Sequence, residues 1–365
     1  MIAAVYTKFS DPITIKRVPK PTTPSHNGVI IKVKATGVCR SDWHGWKGHD
    51  DDIKSHGLPF IPGHEFSGII TSVGKDVRKF LVGDYVAVPF ILSCSQCREC
   101  KRGKPTVCED QNQPGFTMWG SFAEYVCISR ADWNLCHIPS GVSFMEAAAL
   151  GCRFTTAYRA IIQRGRLEVG DTVAVFGVGG LGLSCIMIAA AKSHKASQII
   201  AIDVSKQALE KALEVGATHV LNANDYNNDE EVQQAVIHLS HEKIGVNLAV
   251  DAAGFPSTCE NAVYCTRRGG RMVQVGLPIG GRPPLIPMGR VAGREIDIFG
   301  SHGAAAVDMP HILQLVARNE LDPKILIEKE VDLQEGVLAL QDMDRISPVG
   351  MTMITSFHGN IQSHL

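Results

Sequence analysis

The sequence predicts an α/β protein in which a β-rich domain precedes a doubly wound parallel-sheet domain. Short β-branched runs separated by Gly and Pro turns fill roughly the first 150 residues, which is typical of an all-β, barrel-like domain. From about residue 171, apolar runs of strand length alternate with stretches of helix length, as in a parallel sheet. A chain of 365 residues is long enough for about two such domains.

Strand-like runs support both halves of this prediction. In the β-rich part they lie at residues 29–33, 69–73 and 85–88. In the parallel sheet they lie at residues 172–176, 199–202, 218–221, 248–251, 271–275 and 296–299. A helical segment at 309–317 and a last strand at 351–356 are too short for a third domain. We therefore expect a first domain of residues 1–152 with 301–365 and a second of residues 153–300.

Composition narrows the classes of partner. Hydrophobic residues make up 45% and charged residues 20%, as in soluble folded proteins, and the net charge of −1 offers no field for nucleic acid or an anionic membrane. No apolar run reaches the ~18–20 residues that cross a bilayer, and the start has no leader-like pattern. We expect a cytoplasmic protein whose partners are small molecules. Its eleven cysteines should be reduced, so clustered cysteines indicate metal.

A glycine-rich run predicts a dinucleotide site. Residues 177–182 fit G-x-G-x-x-G between an apolar strand and a helical stretch that runs to Ala191. The run reads Gly177, Val178, Gly179, Gly180, Leu181 and Gly182. Asp203 follows Gly182 by 21 residues, where a carboxylate binds the adenosine ribose and repels a 2′-phosphate. The pattern favours NAD over NADP, and the alternative is a glycine-rich turn beside a surface Asp.

Four cysteines within 15 residues predict a closed metal site. Cys94, Cys97, Cys100 and Cys108 have the spacing C-x2-C-x2-C-x7-C in a loop that contains Gly and Pro. Four thiolates suit a tetrahedral structural zinc without an open position. An iron–sulfur cluster is the alternative, although no proline follows Cys108.

Three scattered residues are candidate ligands of a second metal. Cys39, His64 and Cys152 form a Cys2His set, which leaves one exchangeable position on zinc. Taken singly, each is more simply a buried thiol or a surface imidazole. Sequence spacing alone does not join them.

A longer motif carries a family resemblance. The pattern G-H-E-x2-G-x5-G-x2-V is matched by Gly63, His64, Glu65, Gly68, Gly74 and Val77. With this motif the chain resembles the zinc-dependent alcohol dehydrogenases of the medium-chain dehydrogenase/reductase family over nearly its whole length. The resemblance implies a GroES-like catalytic domain plus a Rossmann domain, NAD, and two zinc ions per chain. It makes Cys39, His64 and Cys152 ligands of the catalytic zinc and the four clustered cysteines ligands of the structural zinc. The implied reaction is hydride transfer between NAD(H) and an alcohol/aldehyde or ketone pair.

The resemblance also implies roles for single side chains. Those that handle the substrate proton are Ser41, which hydrogen-bonds the substrate oxygen, and His44, which receives the proton through the cofactor ribose and passes it to solvent. Asp42 orients the zinc-bound histidine, as expected for a metal-bound imidazole, and Glu65 assists ligand exchange beside the metal. Those that contact the cofactor are Arg40 at the pyrophosphate, and Thr156 and Leu181 at the nicotinamide ring.

One position departs from the family pattern. Many relatives carry a Gly-Arg pair before the last strand, with the Arg on the cofactor pyrophosphate, whereas this chain has Gly350-Met351. The chain also lacks the longer insertion of the dimeric animal and plant enzymes. It is similar in this respect to the tetrameric microbial branch, so we expect a homo-oligomer, with a tetramer favoured over a dimer.

Substrate class rests on a few further residues. The nearest alternative is a polyol or amino-alcohol dehydrogenase of the same family, in which the third zinc position is generally not cysteine, so Cys152 favours simple alcohols. A non-enzymatic nucleotide-binding relative would be expected to lose metal ligands or Ser41, and none is lost. Trp46, Phe90 and Trp119 are expected to line an apolar pocket. We expect His44 to exchange its proton near the reference histidine pKa of ~6.5.

Overall fold

The protein, described here by a computed structural model at residues 1–22, 24–278, 282–346 and 348–357, divides into two compact units. Unit 1 comprises Met1–Thr155 and Gly303–Leu365, and unit 2 comprises Thr156–His302. The domain limits expected from sequence, after residues 152 and 300, lie three and two residues before the limits of these units.

Strands and helices are numbered in chain order. The strands are β1 (Ile2–Val5), β2 (Thr14–Arg17), β3 (Val29–Val38), β4 (Glu65–Val73), β5 (Tyr85–Val88), β6 (Tyr125–Ile128), β7 (Cys136–His137), β8 (Thr172–Phe176), β9 (Gln198–Asp203), β10 (His219–Asn222), β11 (Val246–Asp251), β12 (Thr266–Gln274), β13 (Asp297–Gly300), β14 (Ile327–Asp332) and β15 (Met351–Ser356). The α-helices are α1 (Arg40–Trp46), α2 (Asp51–His56), α3 (Arg98–Lys101), α4 (Ala131–Asn134), α5 (Phe144–Ala149), α6 (Thr155–Tyr158), α7 (Gly180–Ala190), α8 (Lys206–Glu214), α9 (Asp229–Leu239), α10 (Pro256–Cys265), α11 (Met288–Arg294), α12 (Met309–Ala317) and α13 (Leu333–Gln341).

Unit 1 is built around a mixed sheet of seven strands. The strand order is β14-β15-β3-β4-β5-β7, and β6 also pairs with β3. The long strand β3 is antiparallel to β4, β6 and β15, while β14 and β15 are parallel. The strand at 351–356 and the helix at 309–317 have the bounds expected from sequence, and β15 pairs with β3 near the start of the chain. The unit is β-rich rather than all-β, because short helices connect its strands.

The core of unit 1 lies against this sheet. Its largest fully buried side chains include Tyr6, Phe60, Phe66 and Phe122. Five strands have no counterpart among the runs expected from sequence: β1, β2, β6, β7 and β14. Several of these strands have exposed or half-buried side chains, so they carry no apolar run that periodicity could detect.

Unit 2 is a doubly wound sheet of six parallel strands. The order is β10-β9-β8-β11-β12-β13, so the chain enters at β8, extends the sheet on one side, and returns to extend it on the other. This reversal between β8 and β11 is the switch point at which such sheets bind ligands. All five residues of β8 are buried, as expected for a central parallel strand. The strand expected at 271–275 begins five residues earlier, at Thr266, because its polar first half gives no apolar signal.

Among the described residues, no helix is both long enough and apolar enough to cross a membrane.

Candidate active site

The three scattered candidate ligands come together in unit 1. One donor atom from each of Cys39, His64, Glu65 and Cys152 lies within 4.8 Å of the others. Cys39 directly follows β3 and His64 directly precedes β4, and these neighbouring strands pair Gly37 with Glu65. Cys152 lies in a single π-helical turn after α5. The sheet therefore places ligand residues far apart in sequence at one point.

Asp42 fixes the orientation of His64. Its Oδ1 lies 2.8 Å from His64 Nδ1 and accepts a 2.8 Å hydrogen bond from the Gly63 N–H, while its Oδ2 accepts one of 3.2 Å from the Cys39 N–H. Burial disfavours the imidazolium form, but the Asp42 carboxylate and the Cys39 sulfur together outweigh this effect and raise the pKa of His64. The opposite ring nitrogen, Nε2, is buried and has no hydrogen-bond partner within the described part of the chain. An imidazole held at Nδ1 by a carboxylate, with a vacant Nε2, is the usual arrangement of a metal ligand.

The two thiols beside His64 differ in acidity. Hydrogen bonding from the Cys152 thiol lowers the pKa of Cys39 well below its ordinary value, and the nearby His64 acts in the same direction. The thiolate is the form that binds metal. The donor set of this centre therefore fits zinc with two sulfur ligands and one nitrogen ligand.

Glu65 lies beside these ligands but is already paired. Its Oε1 accepts hydrogen bonds from the Arg153 backbone N–H at 3.2 Å and from Arg153 Nε at 2.9 Å, and its Oε2 pairs with Nη2. Both side chains are buried. Burial disfavours the guanidinium charge, but the Glu65 carboxylate outweighs it and raises the pKa of Arg153. Arg153 was not expected from sequence, although it directly follows the candidate ligand Cys152.

Aromatic rings border His64. The Phe116 ring centroid is 5.1 Å from that of His64, and the Phe90 centroid is 5.9 Å away. Phe116 was not expected from sequence. The expectation for Trp46 is wrong: only 4% exposed, it packs in the core of unit 1 and donates from Nε1 to Asp11 O at 2.7 Å. Trp119 packs against the same core and donates to Pro59 O.

Helix α1 carries the residues expected to move the substrate proton. Ser41 and His44 are both half-buried and lie three residues apart, on one face of the helix. Burial, together with the neighbouring His49 and Arg40, lowers the pKa of His44 to about 4, which corrects the expectation of ordinary histidine titration. Arg40 begins the same helix and donates from Nη1 to Met343 O at 2.6 Å.

The four clustered cysteines form a second compact set. One sulfur from each lies within 4.8 Å of the others, with 4.0 Å between Cys94 and Cys100 and 3.8 Å between Cys97 and Cys108. Zn–S bonds of 2.3 Å at tetrahedral angles place sulfurs about 3.8 Å apart. Backbone N–H groups point at the sulfurs, and that of Cys100 lowers the pKa of Cys97 to about 6. This spacing fits one ion better than an iron–sulfur cluster, whose thiolates bind different irons.

The glycine-rich loop lies in unit 2, between β8 and α7. Gly177 has φ +83°, and a Cβ at Gly182 would lie 2.0 Å from the Gly177 carbonyl oxygen, so the tight turn admits no side chain there. Gly179 precedes the first turn of α7 and provides no side-chain cap, which leaves N–H groups available to an anion. Gly180 and Leu181 begin the helix and are half-buried. The loop therefore has the form required to bind a pyrophosphate.

Asp203 ends β9 next to this loop. Its Oδ2 accepts a 2.7 Å hydrogen bond from the Val178 N–H, and its Oδ1 accepts hydrogen bonds from the Val204 and Ser205 N–H groups. The carboxylate therefore holds the loop through backbone hydrogen bonds. Thr156, the first residue of unit 2, has a buried Oγ1 with no partner among the described residues.

Comparison with known proteins assigns the family. Residues 25–140 match the family model described as alcohol dehydrogenase GroES-like domain, and residues 180–318 match that described as zinc-binding dehydrogenase. An alcohol dehydrogenase of Geobacillus stearothermophilus is 36% identical over 90% of this chain and 92% of its own length. The chain belongs to the zinc-dependent alcohol/polyol dehydrogenase family.

Other members of this family differ in the substrate that their names give. Sorbitol dehydrogenase of Bacillus subtilis is 34% identical over 90% of both chains. A crystal structure described as that of a short chain alcohol dehydrogenase from Escherichia coli CFT073, complexed with NADH, is 29% identical with a TM-score of 0.84, covering 97% of this chain and 99% of the other. The fold and the oxidoreductase class of this dehydrogenase are thus common to relatives with different substrates.

At Met351, where many relatives have an arginine, a different arginine of this chain lies close to the preceding residue. Met351 is buried in β15, and the preceding Gly350 carbonyl lies 3.5 Å from Arg153 Nη1. Arg153 Nη2 also donates to Val38 O. A guanidinium therefore lies beside Gly350, although it comes from position 153 rather than 351.

Removal of this guanidinium should destabilise the protein. Arg153→Met leaves the buried Glu65 carboxylate unpaired, and breaking a buried pair in this way typically costs about 3–5 kcal/mol. Urea denaturation of the Arg153→Met variant and of the unmodified protein measures the loss in free energy of unfolding. Lys54→Met is the control, because it breaks the exposed pair with Asp51 and should cost less than about 1 kcal/mol. Equal losses in the free energy of unfolding for Arg153→Met and Lys54→Met would contradict a buried ion pair between Arg153 and Glu65.

Proposed function

We propose that the protein is an NAD-dependent alcohol dehydrogenase that interconverts alcohols with aldehydes or ketones and favours apolar substrates. The observation that carries the proposal is the buried, unpartnered Nε2 of His64 within 4.8 Å of the thiols of Cys39 and Cys152. A zinc ion would bind all three of these side chains at once, and a Cys2His set leaves a position for substrate.

Two zinc ions complete the proposed enzyme. Cys39, His64 and Cys152 hold the catalytic ion, and Cys94, Cys97, Cys100 and Cys108 hold the structural one. A zinc ion bound by Cys39, His64 and Cys152 would act as a Lewis acid and favour the ionised form of the substrate hydroxyl. Asp42 keeps His64 in the tautomer in which Nε2 carries no proton and can bind the metal. Arg153 keeps the Glu65 carboxylate paired beside the ligands.

The chain itself moves the substrate proton in this proposal. Ser41 Oγ accepts a hydrogen bond from the substrate hydroxyl, and His44 carries the released proton toward solvent. Their separation of three residues on α1 supports this pairing, since it places both side chains on one helix face. The low pKa of His44, about 4, keeps the ring neutral and ready to accept a proton at neutral pH.

NAD is the proposed cofactor because of the loop and the acid that follows it. The N–H groups at the start of α7 suit a pyrophosphate, and Asp203 repels the 2′-phosphate of NADP. The NADH complex of the Escherichia coli relative supports the same preference. Thr156 and Leu181 are proposed to support the nicotinamide ring, and Arg40 to contact the pyrophosphate.

Simple alcohols are the favoured substrates on two grounds. The rings of Phe90 and Phe116 beside His64 offer apolar surface, and Cys152 supplies the third ligand that polyol enzymes generally lack. A polyol substrate is the second candidate, and the 34% identity to a sorbitol dehydrogenase favours it. We also propose a cytoplasmic homotetramer, on the grounds of the reduced thiol cluster and the absence of the insertion typical of dimeric relatives.

A substrate panel tests the function. We expect NADH formation with primary alcohols, with kcat/KM at least about tenfold above that for sorbitol, xylitol or threonine. The reason is that each unpaired buried hydroxyl costs roughly 1–3 kcal/mol, whereas each buried CH2 gains ~0.8 kcal/mol. NADP should be the poorer cofactor, and Asp203→Gly should narrow the difference. A higher kcat/KM for a polyol would favour the second candidate, and no turnover with any alcohol would contradict the enzyme.

Elemental analysis tests the metal sites. Protein purified without chelator should contain two zinc ions per chain. Cys97→Ser should lose one zinc and unfold at lower temperature, because the structural ion contributes folding free energy. Cys39→Ser should lose the other zinc and all turnover while remaining folded. Iron, or a single zinc in the unmodified protein, would contradict the assignment.

The pH dependence of His44→Gln tests the proton path. Because the pKa of His44 is about 4, its contribution to alcohol oxidation is complete at neutral pH and is lost only as pH falls through that value. We expect the variant to be about tenfold slower or more near pH 7, and the defect to shrink as hydroxide rises. Stopped-flow measurement of NADH formation between pH 6 and 10 gives the profile. If the rate of NADH formation had the same dependence on pH in the unmodified enzyme and in His44→Gln, His44 would be excluded from the proton path.

A further inference from the structure

A second histidine is hydrogen-bonded to His44. The Nδ1 atoms of His44 and His49 are 3.0 Å apart, and the His49 N–H donates to the His44 carbonyl at 3.0 Å. Helix α1 ends at Trp46, and Gly48 then takes φ +75°, so the chain turns back over the last helical turn. This local geometry places the two imidazoles side by side.

Trp43 and Asp344 hold the histidine pair in place. The Trp43 ring meets His44 edge-on at 4.8 Å between centroids and His49 at 5.7 Å. Trp43 Nε1 donates to one oxygen of Asp344, and Lys47 Nζ pairs with the other at 2.7 Å. The orientation of His49 is therefore fixed by several contacts rather than by a single hydrogen bond.

The two rings differ in their access to water. His44 is half-buried, whereas His49 is exposed. Besides His49, the charged groups that face His44 are Arg40 of the same helix and the Cys39 thiolate, and burial is the largest influence on its pKa. A neutral, half-buried ring can accept and pass on a proton but holds it poorly. An exposed neighbour on the same hydrogen bond offers the proton a way to water.

We propose that His49 is the outer member of the proton path, receiving the proton from His44 and exchanging it with solvent. This inference rests on the proposed function and adds a residue to its path. His44 begins with Nδ1–H donated to His49 Nδ1. As a proton binds His44 Nε2, the Nδ1 proton moves to His49, which then loses its Nε2 proton to water.

The balance of this step is one proton in and one proton out. No net oxidation or reduction occurs, and both His44 and His49 return to their starting tautomers by exchange of protons with solvent. The reverse sequence delivers a proton during carbonyl reduction. His49 touches neither substrate nor cofactor in this scheme, so it acts only through His44.

His49→Gln tests the step, because glutamine can keep a hydrogen bond to His44 but neither gains nor loses a proton near neutral pH. Enzyme with NAD is mixed rapidly with a primary alcohol at pH 7 in dilute buffer, and NADH absorbance and an indicator dye are followed together. Both NADH formation and proton release should slow about tenfold, less than the ~100-fold lower bound for a general base in contact with substrate. A tertiary-amine buffer at high concentration should restore the rate, and KM for alcohol should not change.

His26→Gln is the matched control, since it removes another exposed imidazole of unit 1. It should behave as the unmodified enzyme at every buffer concentration. A His49→Gln enzyme that keeps its zinc but equals the control in rate would overturn the inference while leaving the proposed function intact. A slowed variant that buffer does not restore, or one with raised KM, would show a structural role and also overturn it. If the unmodified protein oxidises no alcohol, both fall together.

Discussion

The Asp42 carboxylate connects the parts of the proposed catalytic metal site. It accepts hydrogen bonds from the backbone at Cys39 and Gly63 and fixes the ring of His64, all within a buried region. Two loops that supply ligands are therefore attached to one side chain on α1. The same helix carries Ser41 and His44, so the metal ligands and the proposed proton path share one rigid support. A small rotation of α1 would disturb both at once.

Local patterns in the sequence predicted some features well, because their causes are local. The turn at Gly177–Gly182 is set by its own steric requirements, and the four clustered cysteines approach one another within a single loop. In contrast, Cys39, His64 and Cys152 converge only because β3 and β4 pair and a π-helical turn follows α5. No periodicity encodes that convergence, and only the family resemblance joined these residues in advance.

The errors have a physical cause in common. Trp46 was expected in a pocket because an aromatic ring suits apolar substrates, yet the same property places it in the core. The pKa of His44 depends on burial and on His49 and Arg40, which composition cannot reveal. Arg153 and Phe116 act through contacts with Glu65 and His64, partners 88 and 52 positions away in sequence.

The division of unit 1 between both ends of the chain has a consequence for synthesis on the ribosome. Unit 2 has all six of its strands once residue 300 has emerged, whereas the sheet of unit 1 lacks β15 until residue 356. At ~5–20 residues per second, the intervening 56 residues take roughly 3–11 s. During that interval the edge of β3 that β15 will cover is exposed, and the Gly350 carbonyl beside Arg153 has not been made. The buried pair of Glu65 and Arg153 is therefore enclosed only after strand β15 has been made, and the nascent protein completes the surroundings of its proposed metal ligands last.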